Sequence, residues 1–143
     1  MKVNTKIRYG LRTVIEIAKS DDPGGVLQKD IAENQQISIK YLDSIISSLK
    51  VKGIIANVKG KGQGYRLTRP AEEITVWDIY TAFEPITMVD CIENESFCDK
   101  SSKCCSRDYW IELREDYSNL LKAKTLAQIL EKAREKYLGK SEA

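Results

Sequence analysis

Between Leu27 and Thr68 the chain passes from a helical to an extended period across Gly53, and that change restricts its folding more than any other feature. Leu27 to Glu33 reads as a short helix that buries Leu27, Ile31 and Ala32, and Asn34-Gln35-Gln36 closes it. Ser38 is placed to accept a hydrogen bond from the free amides of the next helix, whose apolar positions Ile39, Leu42, Ile45, Ile46 and Leu49 share one broad face through Lys50. Two short helices so closely joined predict a helix-turn-helix. Beyond Gly53, Ile54 to Val58 is β-prone, Lys59-Gly60-Lys61-Gly62-Gln63-Gly64 is a turn, and Tyr65 to Thr68 is β-prone again. A hairpin directly after a helix-turn-helix is a wing.

The flanks supply the rest of a mostly α fold with one small β-hairpin. Asn4 and Thr5 cap an amphipathic first helix carrying Ile7, Leu11, Val14, Ile15 and Ala18, which Asp21-Asp22-Pro23-Gly24-Gly25 ends. Arg69-Pro70-Ala71 is the expected boundary. Residues 1–70 form a winged helix-turn-helix domain, and residues 71–143 hold a cysteine-bearing loop, 86–106, with dimerisation helices. Thr75 with Asp78 three residues on is a variant capping box, followed by Val76, Trp77, Ile79, Tyr80 and Phe83 and ended by Pro85. No period is sustained from Ile86 to Ser106. Asp108 to Lys122 is helical again, with Tyr109, Trp110, Leu113, Tyr117, Leu120 and Leu121 forming a stripe that needs a partner to cover it. Thr125 caps a last helix bearing Leu126, Ile129, Leu130 and Ala133, and Gly139 to Ala143 is expected to fray.

Charge is divided along the chain. Residues 1–70 carry 13 Lys/Arg against 6 Asp/Glu, and residues 71–143 carry 10 against 15, so a net charge of +2 conceals a basic half and an acidic half. A basic half suits a polyanion, although many basic surfaces are simply solvated. An α-helix fits the major groove of B-DNA and reaches base edges with its N-terminal residues, so Ser38, Lys40, Tyr41, Asp43, Ser44 and Ser47 are the candidate readers. Lys40 would take a phosphate or guanine, and Asp43 would accept from the cytosine amino group. In the wing, Gly60, Gly62 and Gly64 at alternate positions let the backbone turn and approach a phosphate or a narrow groove closely, Lys59, Lys61 and Arg66 carry its charge, and Gln63 lies at its tip. An ordinary solvated hairpin would use the same glycines. Lys6, Arg8 and Tyr9 on the first helix would add backbone contacts, and a solvated face explains them equally well.

All four cysteines lie between Cys91 and Cys105: Cys91, six residues, Cys98, five residues, Cys104, and then Cys105 directly. Such clustering favours a metal or redox site over four separate core residues, and the absence of a two-residue spacing disfavours a zinc ribbon. Thiolates are also the preferred ligands of iron-sulfur clusters.

The opening Met1-Lys2-Val3-Asn4-Thr5-Lys6 with Arg8-Tyr9-Gly10, the segment Ile37-Ser38-Ile39-Lys40-Tyr41-Leu42, and Gly60-Lys61-Gly62-Gln63-Gly64-Tyr65, taken with the order of elements, resemble the Rrf-two family of bacterial winged-helix regulators. The resemblance runs to about Lys136 and is strongest in the helix-turn-helix and wing. It implies, as in the IscR-like members, an iron-sulfur cluster held by Cys91, Cys98 and Cys104, with 2Fe-2S preferred to 4Fe-4S and loss on isolation allowed for. The fourth ligand of those members is a histidine three residues after the last cysteine, where this chain has Arg107; the chain has no histidine, and arginine stays protonated. Other members take a carboxylate from the partner's first helix, and Arg8 stands at that place. Cys105, Asp108, Glu93, Glu95, Asp99, a small thiol or water remain, with Cys105 slightly favoured.

The resulting expectation is a cytoplasmic, non-enzymatic transcriptional regulator, a repressor by preference. It would bind double-stranded DNA at a palindromic operator as a homodimer, sensing cluster status, redox or nitric oxide. A thiol/disulfide switch or a partner enzyme, as in CymR-like relatives, is the same-fold alternative, and an electron carrier is the remote one. No apolar run approaches the roughly 18 residues of a membrane span.

Overall fold

The computed structural model describes residues 2–141, with the side chains of 95, 101 and 139–141 outside that description. Among the described residues there are seven α-helices and one two-stranded antiparallel sheet.

Helix α1 spans Thr5–Ala18, and Asn4 caps it by accepting from the Ile7 N–H at 2.8 Å. Helix α2 spans Gln28–Gln35, one residue later than its apolar pattern suggests, because Leu27 is extended and serves as its N-cap. It stops at Gln36, whose φ of 54° is left-handed. Helix α3 spans Ile39–Val51, and Ser38 caps it as expected by accepting from the Tyr41 N–H at 3.1 Å. Strands β1, Ile55–Asn57, and β2, Tyr65–Leu67, pair Ile55 with Leu67 and Asn57 with Tyr65, and Val26 adds an isolated bridge to Tyr65.

Beyond the hairpin, helix α4 spans Val76–Thr81 and opens on the anticipated box: the Thr75 hydroxyl accepts from the Asp78 N–H, and the Asp78 carboxylate accepts from the Thr75 N–H at 2.9 Å. It ends before Phe83, sooner than Pro85 requires. The stretch read as aperiodic contains helix α5, Asp90–Glu93, and single 3-10 turns at Glu95–Phe97 and Ser101–Lys103. Segments of three or four residues are too short to display a period. Helix α6 spans Cys105–Ala123, beginning three residues before the expected Asp108, and helix α7 spans Leu126–Ser141 under a Thr125 cap. Helix α7 thus continues past Gly139, where fraying was expected; Glu142 and Ala143 lie outside the described residues.

One buried cluster holds these elements. Val14, Ile31, Leu42, Ile45, Leu49 and Ile54 are fully buried with Ile74 and Leu126, so the cluster draws on both sides of residue 70. The entries to α4 and α7 are tied together where the Leu126 N–H donates to the Ile74 carbonyl at 2.8 Å and the Val76 N–H to the Lys124 carbonyl at 2.9 Å. Ile39, assigned to the apolar face of α3 by its spacing, is instead 50% exposed. No residue of α6 is buried, and no helix among the described residues is long and apolar enough to cross a membrane.

Candidate nucleic-acid interface and cysteine loop

Each candidate reader sits on a surface fixed by its neighbours. At the start of α3, Ser38, Lys40 and Asp43 are exposed, while Tyr41 and Ser44 are half-buried. The Gln28 side-chain amide, from the first turn of α2, donates to the Asp43 carboxylate and at 3.5 Å to the Ile39 carbonyl. That pair locks the two helices of the helix-turn-helix at their shared edge. The Ser44 hydroxyl donates to the Tyr41 carbonyl at 2.8 Å, and so is spent partly on its own helix. Tyr41 meets Tyr9 edge to face at 5.9 Å, and Arg12 lies 5.0 Å over the Tyr9 ring, so Tyr9 braces α1 against α3. Arg8 is exposed beside the same ring at 5.9 Å, and Lys6 is half-buried.

In the wing, Lys59, Gly60, Lys61, Gly62, Gln63 and Arg66 are all exposed. Gly60 and Gly62 turn the chain with φ of 120° and 77°. Gly64 differs from them and from the expectation, because it is buried: a Cβ there would sit 2.2 Å from the Val26 carbonyl oxygen. Its close approach is to the protein itself, with its N–H donating to the Gly24 carbonyl at 2.8 Å. Arg66 donates to the Leu67 carbonyl at 3.0 Å. Lys50 lies 5.9 Å from the Tyr65 ring, and Asp43, Ser47, Lys50, Val51 and Tyr65 help line a shallow groove of about 290 Å³ between α3 and the hairpin. Of the α3 readers, Asp43 and Ser47 line this groove, and Tyr65 is its only lining residue from the hairpin; the other readers and the residues of the wing turn do not line it. Sequence reasoning missed Gln28, whose only signal was a polar side chain in a helical first turn, and it missed the exposure of Ile39.

The exit from the wing is anchored by Arg69, which donates to the Asp78 carboxylate at 3.2 Å and to the Gly53 carbonyl at 3.3 Å. Asp78 thereby joins the helix-turn-helix to α4. Helix α4 packs in turn on α6: Tyr80 and Tyr117 meet edge to face at 6.3 Å, and Lys122 lies 4.4 Å over the Trp77 ring. Burial, followed by the nearness of Tyr117 and Glu84, pushes the Tyr80 hydroxyl up to about 12.

The four cysteines are free thiols. Cys91 lies in α5, Cys98 between two 3-10 turns, Cys104 at the N-cap of α6 and Cys105 in its first turn; the first three are half-buried and Cys105 is exposed. The Ser106 hydroxyl at 3.0 Å, and after it the Arg107 N–H, pull the Cys104 thiol below its ordinary value. The Arg107 guanidinium donates to the Cys91 carbonyl at 3.4 Å. Glu93 is paired with Arg114 at 2.8 Å, Asp99 and Asp108 are exposed, and the Glu95 side chain lies outside the described residues. Three thiols on one short loop fit an iron-sulfur cluster in donor chemistry. They are not gathered, however, for among the described residues no three Cys, Asp or Glu side chains come together as a metal site.

A family model named Rrf2 and described as iron-dependent transcriptional regulator matches residues 3–132. The chain is 36% identical to protein rrf2 of Nitratidesulfovibrio vulgaris over 93% of its own length and 89% of that relative. Among solved structures it is similar to CymR, the global cysteine regulator of B. subtilis, with a TM-score of 0.72 and 32% identity over 90% of this chain and 95% of that one. It is similar also to T. potens IscR, with a TM-score of 0.74 and 29% identity over 93% of this chain and 88% of that one.

Proposed function

The chain belongs to the Rrf2 family of transcriptional regulators, and from that membership we propose that it binds palindromic duplex DNA as a cytoplasmic homodimer and takes its signal at the cysteine loop. As a regulator of the Rrf2/IscR type it is not an enzyme. The observation that carries the DNA reading is the groove where α3 meets the hairpin, lined by Asp43, Ser47 and Tyr65, together with the exposed Lys40 on α3 and the exposed Lys59 and Lys61 in the wing. Those lysines have no ion-pair partner among the described residues and are available to phosphates.

Association with duplex DNA should weaken steeply as salt rises from about 50 to 200 mM, and Lys61→Ala should lower the slope of log K against log salt by about one. Fluorescence anisotropy with a labelled duplex measures both; association indifferent to salt would remove the reading.

For sensing, Cys91, Cys98 and Cys104 would hold the cluster, with 2Fe-2S preferred, and the fourth position would fall to Cys105 or to an external ligand. A bound cluster supplies a redox- and nitric-oxide-reactive centre. The residues themselves set the coupling: Cys104 opens α6, α6 packs on α4, and Asp78 ties α4 to Arg69 at the wing exit. A thiol/disulfide switch is the second reading, favoured by thiols that are not gathered for a metal and by the lowered Cys104 thiol. Anaerobic reconstitution with iron and sulfide separates the two. Visible absorption together with altered DNA affinity supports the cluster, whereas a reversible disulfide found by mass spectrometry, without absorption, supports the switch.

A further inference from the structure

Ile39 stands out on the surface described above. It is the first residue of α3, 50% exposed, between the exposed Ser38 and Lys40, whereas Leu42, Ile45 and Leu49 on the same helix are at 0%. It is not among the partly buried side chains that pack on the core cluster. A β-branched residue in this position does little for the helix or the core. The Ile39 carbonyl accepts from the Gln28 amide at 3.5 Å, and the same amide holds Asp43 one turn along. Of the polar readers beside it, Ser38 caps the helix, Asp43 is engaged by Gln28, and Ser44 bonds to the Tyr41 carbonyl. The leading edge of α3 thus presents an apolar side chain beside Lys40, unpaired among the described residues, where Ser38, Asp43 and Ser44 are each bonded within the protein.

In the major groove the apolar feature of the base edges is the C5-methyl of thymine. We propose that Ile39 is a specificity-determining residue that packs on the methyl group of one thymine in each half-site. This rests on the DNA reading above. Lys40 and the wing lysines hold the phosphates and fix the register, and Ile39 discriminates at one base pair.

The test begins with duplexes selected by the full-length protein from a random pool, followed by replacement of each thymine in turn with deoxyuridine, which removes only the methyl. One thymine per half-site should lose about fourfold in affinity on replacement, the worth of one buried methyl group. Ile39→Ala should bind more weakly and be indifferent to replacement at that thymine, while Lys61→Ala should bind more weakly and keep the full sensitivity. Circular dichroism checks that both variants fold. The proposal is overturned if no thymine methyl matters, or if Ile39→Ala loses the same factor as the parent. Salt-sensitive binding with no sequence enrichment would sink the role of Ile39 and leave the DNA reading intact. A pool yielding no bound duplex at all would remove both.

Discussion

The glycines of the wing show how much a single residue can conceal. In the run from Lys59 to Gly64 they look equivalent, yet Gly62 has a left-handed backbone with no heavy atom within 4 Å of an added Cβ, whereas Gly64 lies against the Val26 carbonyl. Alanine at Gly62 therefore faces only the left-handed penalty, about 1–2 kcal/mol. Alanine at Gly64 must push Val26 away, which adds packing strain to loss of the bridge in which Val26 and Tyr65 exchange hydrogen bonds at 2.9 and 2.8 Å. The cost expected is about 3 kcal/mol, from overpacking and the lost bonds together. Urea denaturation of the two variants at one protein concentration should rank Gly64→Ala clearly below Gly62→Ala. Equal midpoints would mean that Gly64, like Gly62, serves only the turn.

At the scale of elements, α4 is the connecting piece, and its strength is concentrated in Asp78. That carboxylate accepts from the Thr75 N–H at 2.9 Å, the Thr75 hydroxyl at 3.1 Å and Arg69 at 3.2 Å. Asp78→Ala should cost about 1–2 kcal/mol through loss of the cap, and it should also free the wing exit, lowering DNA affinity although the residue is not itself a reader. Thermal denaturation and anisotropy measure the two losses. Unchanged DNA binding in a destabilised variant would show that the cap is purely local. The capping box was legible because Thr75 and Asp78 carry it within four residues, and α1 and α3 were legible because a long apolar stripe repeats. The early start of α6 was hidden because Cys104 is not a capping residue type, and the turns between Asp90 and Lys103 were hidden by their brevity. The pairing of Gln28 with Asp43 and the exposure of Ile39 were beyond reach for another reason. Whether a polar side chain is occupied, or an apolar one left outside, depends on how α2 crosses α3, which no local pattern contains. The cysteine spacing named the loop's chemistry, but spacing alone did not gather the thiols.

Across the whole molecule the unbalanced part is α6. It runs from Cys105 to Ala123 without one buried residue, although Tyr117 packs on Tyr80. Tyr109, 55% exposed, and Leu120, 71% exposed, lie about three turns apart, so they share one side of the helix. Exposed apolar side chains aligned along one helix face mark an interaction surface. In the homodimer proposed above, a second copy of the same helix would supply a complementary cover, because a two-fold pair presents the same patch on both subunits. Pairing would also set two α3 edges a fixed distance apart for a two-fold operator. Leu120→Glu places a charge at the C-terminal end of that face without touching the core. Sedimentation should then report a single subunit, with helical content retained by circular dichroism. Affinity for a two-half-site duplex should fall by more than tenfold, because the second half-site is no longer held by the same particle, while affinity for a single half-site changes little. If Leu120→Glu still sediments as a pair, the contact between copies lies elsewhere, and α6 must be covered by some other part of the assembly.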